Sequence, residues 1–357
     1  MTRYLERGVF FFIISLVGGL VISVVLYPPQ KETAAPKAVL EIPGIDWHES
    51  LAKPGAPVDD RYIPQKARGS EVLLDGVAVR ALEDRHVASS LDTADILDRT
   101  FRQMGYDLDS IRTGETKVPR VFLASMPGDI GKVRESKKRK GLFFKTVLPL
   151  VLQVNEEIQK DRERLADLIS REKRGVKIGP VDRLWLIVMA ERYKTKRGNL
   201  KALVERVDII PPSLALAQAA EESGWGTSRF VREGNAMFGQ WTTADSEGII
   251  PKNRDAGKTH KIKAFKSLLH SVRSYARNLN THRAYRDLRR ARMQLRQQGK
   301  PLIGLGLTGQ LTSYSERGEE YVKTLRTIIG VNKLIRFDDA SLIEKDLSAN
   351  APSPVTL

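Results

Sequence analysis

Ala217-Gln218-Ala219-Ala220-Glu221-Glu222-Ser223-Gly224-Trp225-Gly226 is a helical run that closes on two carboxylates, a glycine stop and a tryptophan. A carboxyl group in a last helical turn feels the negative end of the macrodipole, and an adjacent indole withdraws water from it. Both effects favour the protonated form. A carboxyl kept protonated near neutral pH can serve as a general acid, the group that cleavage of a glycosidic bond requires at the leaving oxygen. The plainer reading is two solvated glutamates ahead of a Gly224 cap. Successive residues on a helix are turned by about 100°, so only one of the pair can face a cleft squarely.

The elements that must hold this junction are legible around it. Pro211-Pro212-Ser213 opens the run with proline in its first turn, and Leu214, Leu216, Ala217 and Ala220 predict a buried core helix. Burying a carboxylate at its end is costly unless the group is paired or neutralised. Upstream, residues 71–79 carry apolar arms around Asp75-Gly76, a hairpin signal, and helical periods cover 92–104, 184–193 and 199–207. The stretch 143–174 reads as two helices or as one kinked at Pro149, and Lys137-Lys138-Arg139-Lys140 before it as a solvated turn. Beyond Gly226 the period lapses into short candidate strands at 238–242, 248–251 and 260–265, then returns at 267–280, 284–297 and 316–329.

The first block, followed by Gly234-Asn235-Ala236-Met237-Phe238-Gly239, resembles the endo-β-N-acetylglucosaminidase family of peptidoglycan hydrolases, glycoside hydrolase family 73. The usual pattern there is AQAALESGWG followed by a block ending NLFG. Residues 201–265, with Gln240-Trp241 where Gly-Ile is more usual, resemble its bacterial Bax-like branch, and a weaker resemblance runs over 118–330. The resemblance implies an α+β, predominantly α fold: a lysozyme-like helical body holding the acid and a small antiparallel β-lobe forming the other cleft wall. It also implies that the catalytic glutamate is Glu222, with peptidoglycan glycan strands as substrate.

Some relatives supply a second carboxylate from a Thr-x-Glu-Tyr segment of the lobe. This chain departs there, and Glu247 and Asp255 are the nearest acids; either could position a water, but each reads more readily as a solvated turn residue. Among the aromatics, which by default pack in cores, Trp225, Phe238, Trp241, Tyr275, Tyr314 and Tyr321 are the expected sugar platform, with Gln240 beside them. Tyr314 and Tyr321 resemble the tyrosines of the family's terminal Tyr-Ala-Thr-Asp motif, although Ser315-Glu316-Arg317 departs from it. Asn235 is expected to fix the turn between helix and lobe.

The 357 residues contain no cysteine, which excludes disulfides and thiol nucleophiles, and the five histidines form no i, i+4 pair, so neither metal nor cofactor is expected. Residues 8–27 form twenty uncharged positions, enough to cross a bilayer, and run into Pro28-Pro29 rather than a small-residue cleavage site. The expected organisation is therefore an anchor at 1–27, a Pro/Ala-rich linker at 28–70, a small N-terminal module or extension of the main domain at 71–117, the glucosaminidase domain at 118–335 and a flexible tail at 336–357. With the resemblance, the anchor implies an inner-membrane protein whose body lies in the periplasm. The net charge of +16 asks for an anionic partner, and between Lys252 and Lys300 fifteen Lys or Arg face only Asp255 and Asp287. No nucleic-acid motif accompanies them, so no nucleic acid is expected. Lytic transglycosylase chemistry and a non-catalytic envelope scaffold are the competing functions.

Overall fold

The computed structural model describes residues 72–74, 77–79, 93–242, 248–251 and 261–344. The expected anchor and linker lie outside these residues, as do Glu247 and Asp255. Strands β1 (Val72–Leu74) and β2 (Val77–Val79) pair antiparallel, and β1 pairs again with β3 (Val121–Leu123). Helix α1 (Thr93–Gln103) buries Ala94, Leu97 and Phe101 in the main core. Of the two readings of this segment, a small module or an extension of the main domain, the shared sheet and shared core fit the extension. Helix α2 (Leu108–Thr113) has no sequence counterpart above; Asp107 caps it, accepting from the amides of Asp109 and Ser110 at 2.9 and 2.8 Å.

Helix α3 (Ser136–Lys173) is one continuous element of 38 residues with Pro149 inside its buried stretch. A proline in a helix interior costs about 3 kcal/mol, and here its neighbours Val147, Leu148, Leu150 and Val151 are all buried. Core packing on that scale outweighs the lost backbone bond. Lys137 to Lys140 form the helix's first turn rather than the expected solvated turn. Four cations oppose the dipole there, and the structure offsets them: Lys138 pairs with Asp95 at 2.7 Å, Arg139 donates to the Val133 carbonyl at 2.8 Å, and Lys140 lies 4.6 Å over Trp225.

Helices α4 (Pro180–Arg192) and α5 (Leu200–Arg206) follow, and then the central helix α6 (Pro212–Ser223), buried along its length between α3 and the later helices. Its start is capped from far away, because Asp338 accepts from the Ser213 amide and hydroxyl, both at 2.7 Å, and from the Gly304 amide at 2.9 Å. Phe337 and Leu342 are buried, and Val118 bridges to Leu342. The ordered body therefore runs to Glu344, which corrects the expectation of a flexible tail from 336: those residues complete the core and cap α6.

Helix α7 (Arg229–Gly234) leads into a three-stranded antiparallel lobe in which β6 (Lys261–Lys263) lies between β4 (Trp241–Thr242) and β5 (Gly248–Ile249). The two meet closely, since a Cβ at Gly234 would stand 2.7 Å from Ile249 Cδ1. Helices α8 (Leu268–Thr281), α9 (Arg286–Gln297), α10 (Gly304–Leu307) and α11 (Glu319–Val331) complete a mainly α body, the α+β architecture expected. Part of the basic run turns inward. Arg292 is fully buried, donates to Asn280 at 2.7 Å and stands 3.5 Å from Asp208, which Arg296 also meets at 2.8 Å. Charges that read as a surface patch are in part an internal tie between α9 and the segment entering α6.

Candidate active site

Glu222 occupies the last turn of α6, which stops at Gly224 in the left-handed region at φ 56°. Trp225 and Gly226 continue in that region at φ 61° and 80°, so the chain reverses at once, and the turn satisfies the last helical carbonyls: the Trp225 amide donates to Ala220 at 2.9 Å and the Ser228 amide to Ser223 at 3.0 Å. Gly226 is required there, because an added Cβ would sit 3.2 Å from Met126 and 3.3 Å from Phe143. Burial pushes the half-buried Glu222 carboxyl above its ordinary range. A hydrogen bond from Tyr321 works against that rise, Glu221 adds to it, and Arg317 opposes it.

Beneath the acid lies a directed chain of hydrogen bonds. The buried Tyr275 hydroxyl donates to Gln218 Oε1 at 2.6 Å, and Gln218 Nε2 donates to the Tyr321 hydroxyl at 3.1 Å. Tyr321, accepting from an amide that can only donate, directs its own proton to Glu222. Reversing the amide would point the Tyr275 proton at an N–H. Gln218 stands one turn before Glu222 on the same face of α6, so one helix presents both the acid and the group that orients its partner.

Aromatic stacking fixes the rest. Phe238 stacks on Tyr275 with centroids 3.8 Å apart, Tyr314 stacks on Tyr321 at 5.5 Å, and Tyr285 tilts against Tyr314 at 5.7 Å. Burial pushes the phenols of Tyr275, Tyr285, Tyr314 and Tyr321 up, and the Glu222 charge adds to this, so all four are neutral donors. Gly239, from the block after the helix, closes over the acid. With φ 56° and no side chain, it lies where an added Cβ would be 3.6 Å from Glu222 Oε2. Glu221 turns aside, as the 100° step requires, and pairs with Arg317 at 2.5 Å; Arg317 also donates to Thr324 at 2.8 Å.

The expected site residues separate into groups. Glu222, Tyr321, Tyr275, Tyr314 and Phe238 converge. Phe238, Tyr275 and Tyr321 are buried, so they support the acid from below instead of offering rings to a sugar. Trp225, expected in the cleft, packs edge-on against Phe143 and Phe144 at 5.8 and 5.4 Å and is a wedge between α6 and α3. Trp241 is 65% exposed on β4. Gln240 donates to the Ser274 carbonyl at 3.4 Å, while its buried Oε1 has no partner among the described residues. Asn235, at φ 51°, donates to the Phe265 carbonyl at 3.1 Å and fixes the helix-to-lobe turn as expected. Reading the sequence missed Gln218 as a hub, Gly239 as the cover of the acid, and the Glu221–Arg317 pair. Gln218 and Gly239 lie inside the two motif blocks, which was the signal available.

Residues 198–334 match the Glucosaminidase family, described as mannosyl-glycoprotein endo-beta-N-acetylglucosaminidase. The chain is 36% identical over 204 residues to Protein bax of Escherichia coli, a match covering 56% of this chain and 71% of that relative. No solved structure matches. The matched span contains the acid, the chain of hydrogen bonds beneath it and the glycine above it, and the chain belongs to the glucosaminidase family, in its Bax-like branch.

Proposed function

We propose that this protein is a peptidoglycan hydrolase that cuts the β-1,4 bond after N-acetylglucosamine, with Glu222 as proton donor. The observation that carries the reading is a half-buried carboxyl, raised by burial at a helix end, with a neutral tyrosine hydroxyl directed at it. Protonated Glu222 gives its proton to the glycosidic oxygen as the bond to the anomeric carbon breaks. The carboxylate that forms meets the Tyr321 hydroxyl already in place, so the charge is received without reorganisation. Completing hydrolysis draws on a second group. An inverting course uses a lobe carboxylate such as Glu247 or Asp255, and a retaining one uses the substrate's own acetamido oxygen. Glu221 is not free for this role while Arg317 holds it.

In the same reading residues 8–27 anchor the chain in the inner membrane and the body works in the periplasm. The support is the length of that uncharged run; among the described residues no helix is long and apolar enough to cross a membrane.

End-group analysis of purified sacculi tests the reading. New reducing N-acetylglucosamine ends are expected. Anhydro-muramyl ends would make the protein a lytic transglycosylase, and binding without release of fragments would make it a scaffold; either result overturns the proposal.

A further inference from the structure

After α3 ends, the chain folds back as α4, forming a helical hairpin tied by Arg164 and Arg171 to Asp182 at 3.0 and 3.2 Å and by Arg192 to Asp161 at 3.0 Å. Only Met189 and Ala190 of α4 are buried. Val181, Leu184 and Val188, at i, i+3 and i+7, form one stripe on the outer face and are 75, 62 and 44% exposed; Val176, in the turn before, is 45% exposed. Basic residues bracket this stripe. Lys173, Arg174 and Lys177 stand before α4, and Lys194, Lys196 and Lys201 after it, none with an ion-pair partner among the described residues. From Arg171 to Lys201 ten cations face three acids.

We propose that this face of the hairpin docks on an anionic lipid surface, with α4 lying in the plane of the headgroups. An aliphatic stripe with lysines at both ends is the pattern of a helix that rests at an interface: the apolar face enters the acyl boundary and the cations meet lipid phosphates. The shape of the patch disfavours a protein partner. It offers a few hundred Å² of aliphatic surface, well under the roughly 800 Å² each partner gives to a stable interface, and it is rich in lysine, which such interfaces avoid. The docking would fix how the hairpin, and the body carrying it, meets the membrane. It does not depend on whether the chain cuts glycan.

Because the chain has no cysteine, Leu184→Cys creates a single labelling site. A polarity-sensitive fluorophore there, on full-length protein with vesicles containing phosphatidylglycerol, is expected to shift to an apolar environment. A label at exposed Glu115→Cys is expected to stay in water. The shift should vanish in pure phosphatidylcholine vesicles and at high salt, and the ratio of docked to undocked label, read from the shift in vesicle-associated protein, should fall roughly fivefold for each lysine neutralised in Lys177→Gln and Lys196→Gln. A label at 184 that stays as wet as the one at 115 in anionic vesicles overturns the proposal. So does a label shielded equally without lipid, which would mean that the face is covered by protein.

Discussion

The Gln218 amide donates to the Tyr321 hydroxyl at 3.1 Å across 103 residues of sequence, and it thereby decides where the tyrosine's single proton goes. One helix carries the acid, and another returns from near the C-terminus to address it.

Tyr321→Phe removes the donor to Glu222 and leaves Gln218 Nε2 unpaired in the core. The loss of a buried partner costs about 1–3 kcal/mol, read by denaturant unfolding. Activity on sacculi should fall by about 10²-fold. Because the bond from Tyr321 holds the Glu222 pKa down against burial, the alkaline limb of kcat/KM should move to higher pH.

Glu221 and Arg317 act on Glu222 with opposite signs. In the proposed role Glu222 works in its protonated form, so activity is expected to be lost as pH rises through the pKa of that carboxyl. Glu221→Gln removes a like charge, lowers that pKa and moves the alkaline limb to lower pH. Arg317→Gln removes a cation, raises it and moves the limb to higher pH. A pH–rate profile of the two variants should show displacements in opposite directions, with acid-side behaviour unchanged.

Gly239→Ala places a methyl 3.6 Å from Glu222 Oε2 at a position held at φ 56°. The left-handed conformation costs a non-glycine residue about 1–2 kcal/mol. The larger effect is expected on catalysis, because the methyl enters the space over the acid. At least tenfold lower kcat/KM with only a modest loss of melting temperature is the expected pattern.

Burial holds the Arg292 guanidinium down at about 10, and Asp208 is its partner. Asp208→Asn breaks a buried pair, for which about 3–5 kcal/mol is typical, a fall in Tm on the order of 10 °C for a domain of this size. Activity per folded molecule should be retained, which distinguishes this tie from the residues around Glu222.

Glu222 stood out as a candidate in the sequence because a helix end, its glycine stop and the second motif block are all local patterns. So was the helical body with its small lobe, since the helical period breaks at Gly226 and resumes near Ser267. The support of the acid was less legible. Tyr275 and Tyr321 stood out as large aromatics, but their burial beneath Glu222 depends on helices folding back over 57 and 103 residues of separation. Trp225 was misplaced for a similar reason: its neighbour in sequence is the acid, while its neighbours in space are Phe143 and Phe144. Asp338 was read as part of a loose tail because a cap supplied over 125 residues leaves no local trace.

Release of soluble fragments from purified sacculi by Glu222→Gln, beside wild type and with folding checked by circular dichroism, is the most direct measurement. A folded variant with activity reduced by about 10³-fold or more is the result predicted for the sole proton donor. A folded variant that retains wild-type release would contradict the assignment of Glu222 and move the chemistry elsewhere.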